Sequence, residues 1–204
     1  MTVFLSILIG YLLGSVSFSY LIAKRFAKID IREHGSGNAG ATNTLRVLGT
    51  GPAILVLILD ILKGIAAIVF SRWLGGEEWI PFLAGLAAII GHNWPVFSGF
   101  RGGKGVATTI GVFATLMFYP ALLAGTIAIL LIIFTRYVSL GSLVFIGLTP
   151  VFSLLIDNVP LSYFYLSMII VILSFWRHRS NLSKLLQGTE NKLGQKTKKD
   201  VRHS

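Results

Sequence analysis

The sequence predicts an all-α polytopic membrane protein with seven transmembrane helices, its N-terminus outside and its C-terminus in the cytosol. Three observations carry that expectation. Hydrophobic residues make up 54% of the 204 residues against 13% charged, and mean hydropathy is +0.77, too apolar for a soluble surface and too rich in Leu and Ile runs for a disordered chain. Seven apolar runs alternate with polar segments. Finally, 16 of the 18 Lys and Arg residues fall in every second segment, as the positive-inside rule requires of cytosolic loops.

The first run, 2–23, has no charged leader and no small-residue cleavage site, so it reads as a retained span and not as a signal peptide. Lys24 and Arg25 close it and open the first basic segment. The second run, 50–70, holds Asp60 and Lys63 three residues apart on one helical face. Charges at that depth are rare and pair, so these two are expected to form a buried ion pair that orients the helix. The third and fourth runs, 79–91 and 106–118, each reach only about 20 Å at 1.5 Å per residue, short of a hydrocarbon core about 30 Å thick. Irregular backbone below the membrane surface survives only inside protein or along a cavity, so the polar segment between these runs is expected to dip inward and line a site. Pro120 separates 106–118 from 121–135. A helical hairpin there, in place of one kinked helix, keeps the basic C-terminal tail on the side of the first basic loop, which charge favours. Runs 138–156 and 159–176 complete the seven. Residues 1–190 form a single integral-membrane domain, and 191–204 are expected to be a disordered basic extension near anionic lipid headgroups.

A net charge of +10 would suggest nucleic acid in a soluble protein. Here its distribution assigns most of it to topology, and no nucleic-acid partner is expected. With no cysteine, disulfide frameworks and thiolate chemistry are excluded. The four histidines are scattered and acids are few in the cytosolic loops, so no metal site and no cofactor is expected.

Three segments concentrate Gly, Asn, Ser, Thr and basic residues, and on this topology all three face the cytosol: 35–43, 92–105 and 177–184. Gly35, Gly37 and Gly40 make a formal G-x-G-x-x-G. No strand precedes it and no βαβ unit follows, so dinucleotide binding is excluded. What the pattern retains is small residues that let backbone N–H groups converge on an anion, with Ser36, Asn38, Thr42 and Asn43 adding side-chain donors. The second segment, with Arg101, Gly102, Gly103, Lys104 and Gly105 ahead of an apolar helix, resembles a phosphate loop. Gly105 replaces the Ser/Thr after the lysine and Ser98 the first glycine, so nucleotide hydrolysis is excluded while phosphate contact by Arg101, Lys104 and a helix N-terminus is expected. His92 heads this segment, and Arg177, His178 and Asn181 lie in the third.

Written out, the segments are G-S-G-N-A-G-A-T-N (35–43) with Arg46, H-N-W-P-V-F-S-G-F-R-G-G-K-G-V-A-T (92–108), and R-H-R-S-N-L (177–182) followed by L-L-Q-G-T and Glu190. They resemble the signatures of the bacterial acyl-phosphate:glycerol-3-phosphate acyltransferase family, from the first span to Glu190. The resemblance implies a multi-pass enzyme of the cell inner membrane with its active site facing the cytosol. It implies transfer of a fatty acyl group from acyl phosphate to the sn-1 hydroxyl of glycerol 3-phosphate, at the first acylation step of phospholipid synthesis, with glycerol 3-phosphate, acyl phosphate and membrane lipid as partners.

The residues suit that chemistry. The H-x-x-x-x-D base of most glycerolipid acyltransferases is absent, since Ala39, Phe97 and Ser183 stand five after His34, His92 and His178. An acyl phosphate already carries a good leaving group, so neutralisation of charge and positioning can do much of the work. The roles expected are glycerol phosphate held by Ser36, Asn38 and Arg46, with Gly37, Thr42 and Asn43 in the same loop. Lys104 with Gly102 and Gly103, and nearby Arg101, would hold the acyl phosphate or developing oxyanion. His178 and Asn181 would orient the attacking hydroxyl, His92 and Arg177 would bind substrate, and Arg179 would add its charge to the phosphate-binding site. His178, His92 or a substrate phosphate oxygen would take the proton. The alternative is a small transporter or flippase for an organic phosphate, which would need polar residues continuing to the outer side. Apart from Asp60 and Lys63 that half of the chain is apolar.

Overall fold

The computed structural model describes residues 1–77, 79–156 and 159–195, and all regular structure among them is helical. In chain order the helices are α1 (Thr2–Gly14), α2 (Phe18–Phe26), α3 (Ala41–Leu48), α4 (Thr50–Trp73), α5 (Trp79–Asn93), α6 (Val106–Leu116), α7 (Phe118–Thr135), α8 (Val138–Ser153), α9 (Leu161–Arg177) and α10 (Arg179–Leu186).

Each of the seven apolar runs is helical, but their ends and interruptions differ from expectation. The first is broken at Ser15–Ser17, and α1 with α2 makes one apolar stretch of 25 residues. That stretch, α4, α5 with the turn after it, and α7 are long and apolar enough to cross a membrane unaided. Helices α6 and α8 are shorter, and α9 meets α10 at a 62° bend. The division between α6 and α7 falls at Met117, whose φ of −141° and ψ of 62° leave the helical region. Pro120 instead sits in the first turn of α7, where a missing N–H costs no intrahelical bond. The third polar segment, read from sequence only as a polar stretch, is itself helical as α10.

Without a hydrophobic force between helices in lipid, close packing needs small residues. Helix α1 lays Gly10 and Gly14 against the backbone of Ala84 and Ala88 of α5, and α5 returns Gly91 against Tyr11 and Ser15. Helices α4 and α6 meet the same way, Gly64 on Thr108 and Gly111 on Ile61. Larger apolar groups fill the space these contacts leave: Phe82 and Ile89 of α5, Val112 and Phe113 of α6, Phe145 and Ile146 of α8 and Ile170 of α9 form the core. Outward faces remain apolar, with Leu55, Ile58 and Leu62 on α4 and Leu123, Ile133 and Phe134 on α7 exposed, as lipid permits.

The polar segments gather at one end. Asp30 and Arg32 form an ion pair at 2.6 Å, and Arg32 also donates to the carbonyl of Ser98 at 2.6 Å, tying the first basic loop to the second. Arg32 holds the Asp30 carboxyl low, at about 2. After α10 the chain turns back: Leu193 donates to the carbonyl of Arg136 at 2.7 Å, and Arg136 Nε donates to the carbonyl of Leu193 at 3.1 Å. Residues 191–195 of the expected tail thus form a strap across the α7–α8 connection, while 196–204 lie outside the described residues. So do Glu78 and Asp157.

Candidate active site

A cavity of about 550 Å³ opens where the three polar segments meet. Its polar end is lined by Ser36, Asn38, Arg46, Lys104, His178, Asn181, Lys184 and Glu190, and its apolar end by Leu57, Ile110, Ile129 and Ile132. A second, nearly wholly apolar groove of about 310 Å³ runs on between α6, α7 and α8, sharing Val106, Ile110, Ile129 and Ile132 with the first. A basic, hydrogen-bonding compartment and an apolar slot therefore lie side by side and share part of one wall.

The N-termini of α3 and α6 also reach the cavity, through Ala41 and Thr42 and through Val106 and Ala107. The first amides of a helix have no intrahelical acceptor, and the dipole puts partial positive charge there. Together with Arg46, Lys104 and Lys184 they give the polar end the positive charge and free amides that suit an anion.

Lys104 donates to Asn181 Oδ1. Asn181 Nδ2 donates to Glu190 Oε1 at 2.7 Å, and Ser139 Oγ donates to the same oxygen at 2.9 Å. Burial pulls the Lys104 ammonium down to about 8 although Glu190 opposes it, with Arg177, Lys184 and Arg46 adding to the fall. His178 is 2% exposed and its Nδ1 lies 2.8 Å from the carbonyl of Ser174. A carbonyl only accepts, so Nδ1 carries the proton and Nε2 is left as an acceptor. Burial, Lys104 and Arg177 press the imidazole down to about 4, against a smaller opposing pull from its bond to Ser174, so it is neutral at pH 7.

The structure brings Ser36, Asn38, Thr42, Asn43, Arg46, His92, Lys104, His178 and Asn181 to the cavity wall. Asn43 also organises its own loop, accepting from the Ser36 amide at 2.8 Å and donating to the carbonyls of Ile31 and His34. Gly37, Arg101, Gly102, Gly103 and Arg177 do not line the cavity. Arg177 donates to the carbonyl of Gly103 and lies 5.2 Å from the ring of Trp94, while Arg101 is exposed. Gly102 and Gly103 are needed for close approach, since a Cβ on either would run into His92.

Sequence reasoning gave no role to Glu190, Ser139, Ser142 or Lys184, all on the wall. The expected Asp60–Lys63 pair is present at 2.8 Å. It extends further than expected: Lys63 Nζ also donates to the carbonyl of Val16 at 2.9 Å and to Nδ1 of His92 at 2.9 Å.

The sequence profile of the glycerol-3-phosphate acyltransferase family matches residues 4–188. The chain belongs to that family. This acyltransferase is 62% identical over 196 residues to the glycerol-3-phosphate acyltransferase of Shouchella clausii, covering 94% of this chain and 96% of that one. It is likewise 62% identical over 192 residues to the one of Halalkalibacterium halodurans, covering 92% and 93%. It superposes on the crystal structure of PlsY (YgiH), an integral membrane glycerol 3-phosphate acyltransferase, in its glycerol 3-phosphate form, with a TM-score of 0.89 and 35% identity over 100% of both chains. The lysophosphatidic acid form of that protein matches with a TM-score of 0.86 and 36% identity, over 95% of this chain and 96% of that one. The acyltransferase is thus a multi-pass membrane enzyme, and the transporter alternative falls.

Proposed function

We propose that this acyltransferase moves a fatty acyl group from acyl phosphate to the sn-1 hydroxyl of glycerol 3-phosphate, giving lysophosphatidic acid and inorganic phosphate on the cytosolic face of the bacterial inner membrane. The observation that carries the reading is a cavity whose basic end suits two phosphates, beside an apolar groove that shares its wall and suits an acyl chain. In this reading α1–α2 counts as one crossing, followed by α4, α5, α6, α7, α8 and α9, and the concentration of basic residues in alternate connections supports an N-terminus outside and a basic end in the cytosol.

In this scheme Ser36, Asn38, Thr42 and Arg46, with the first amides of α3, hold the phosphate of glycerol 3-phosphate. Gly37 and Asn43 shape that loop. Lys104 and the N-terminus of α6 hold the phosphate of the donor, and Gly102, Gly103, Arg101 and Arg177 support the loop that carries Lys104. The acyl chain lies between α6, α7 and α8. The sn-1 oxygen, oriented by Asn181 and by the free Nε2 of His178, attacks the acyl carbonyl carbon. The bond from that carbon to the phosphate oxygen then breaks, and phosphate leaves with the electron pair. Lys104 offsets the charge that develops. An imidazole held at about 4 is an orienting acceptor and a weak base, so the hydroxyl proton ends on the departing phosphate. His92, bonded through Nδ1 to Lys63, is occupied elsewhere.

The test is incubation of purified protein in vesicles with labelled glycerol 3-phosphate and, separately, acyl phosphate, acyl-CoA or acyl carrier protein thioester. Label should enter lysophosphatidic acid with acyl phosphate. Transfer from the thioesters but not from acyl phosphate would overturn the donor assignment.

A further inference from the structure

Lys63 does not line the cavity, yet it joins the break between α1 and α2 to the loop that carries Lys104. Its ammonium sits on Asp60 at 2.8 Å, on the carbonyl of Val16 at 2.9 Å and on Nδ1 of His92 at 2.9 Å. The Val16 carbonyl lies in the short non-helical stretch between α1 and α2, where a carbonyl needs an outside donor. An ammonium only donates, so Nδ1 of His92 accepts and its ring proton is on Nε2. That edge of the ring rests on Gly103, against the place a Cβ would occupy. The backbone of His92 holds the same glycine, its carbonyl accepting from the Gly103 amide at 3.1 Å. Arg177 holds the Gly103 carbonyl from the other side. The next residue is Lys104.

We propose that Lys63, held by Asp60 and Val16, is a positioning residue that acts through His92: it fixes the imidazole against Gly103 and so sets where Lys104 enters the cavity. This rests on the role given to Lys104 above. Asp60, at the cavity wall, serves by fixing the ammonium and balancing its charge, and its Oδ1 also lies 3.6 Å from His92 Nδ1. A bland helix-orienting ion pair would not need the third contact to a residue at the cavity wall, nor would it sit 2.9 Å from the ring whose far edge supports the loop.

Lys63→Met alone strands Asp60 as an unpaired buried charge, so the test variant is the charge-neutral pair Asp60→Asn with Lys63→Met, compared with His92→Gln and with the triple variant. In folded protein of normal melting temperature, amide exchange in residues 99–105 should quicken in the double variant. Its kcat/KM should fall on the order of 10- to 100-fold, the scale of a misplaced catalytic group. Adding His92→Gln should cost little more, because both act through one contact. Unchanged exchange in 99–105, or effects of the double variant and His92→Gln that multiply in full, would overturn the proposal. The exchange readout needs no turnover, so a wild-type enzyme that fails to use acyl phosphate would sink the donor assignment and leave this result standing by itself. If the double variant does not fold, Lys63→Arg, which keeps a donor and the charge, should retain slow exchange at 99–105. Fast exchange there in folded Lys63→Arg with the His92 contact intact would also overturn the proposal.

Discussion

At pH 7 the Lys104 ammonium is charged, but burial has brought it within reach of ordinary buffers, at about 8. It is cationic below that value and neutral above it, so its hold on an anion weakens as pH rises through 8. Because kcat/KM reports the free enzyme, its pH profile should fall with an apparent pKa near 8, and Lys104→Arg should push that limb beyond the accessible range. Lys104→Ala should cost about 10²- to 10³-fold in turnover, as loss of one preorganised donor does. Glu190→Ala strands the Asn181 amide and the Ser139 hydroxyl and should lower the melting temperature as well as activity, whereas Ser139→Ala removes one donor only and should cost less on both measures. Several cationic and glycine-loop residues at the cavity were legible in the sequence because charge, small size and occurrence in every second polar segment are local properties. Ser139 was not. It meets Glu190 from 51 residues away, and nothing about a serine at the start of an apolar helix announces such a partner.

Helices were legible wherever an apolar run was long, and less so where packing overrides local preference. The break at Ser15–Ser17 carries no proline or glycine at its centre. It is stabilised instead by Lys63, which serves the freed carbonyl from another helix. The helix α10 was hidden by its polar composition, since a helix at the membrane edge has little hydropathy to read. Small residues make a further prediction at this scale. A Cβ on Gly14 would strike the Ala88 carbonyl, and Gly14→Val should force α1 from α5 and destabilise the protein by about 1–3 kcal/mol, the usual cost of overpacking. Gly147 of α8 has open space at its Cβ, so Gly147→Ala is the matched control and should melt like the wild type. Detergent-solubilised melting curves of both variants decide the matter.

For the molecule as a whole, the separation of charge is the main organising fact: a basic end that gathers the loops, and an apolar body. Because the chain has no cysteine, single-cysteine variants carry no background. In intact cells a membrane-impermeant maleimide should label Gly75→Cys, and should label Lys28→Cys only after the membrane is opened. The reverse pattern would invert the proposed orientation. Ending the chain before Thr189 removes Glu190 and Leu193, and with them the strap to Arg136, so the shortened protein should insert but turn over no substrate. The pairing of α1 with α5 bears on how the protein is made. Helix α1 leaves the ribosome first, yet the alanines that its glycines fit lie some 70 residues further on, and several seconds pass before they are synthesised. Through that interval the nascent first helix has a bare groove facing lipid, which makes the newborn chain, more than the finished enzyme, the form most in need of an insertion chaperone.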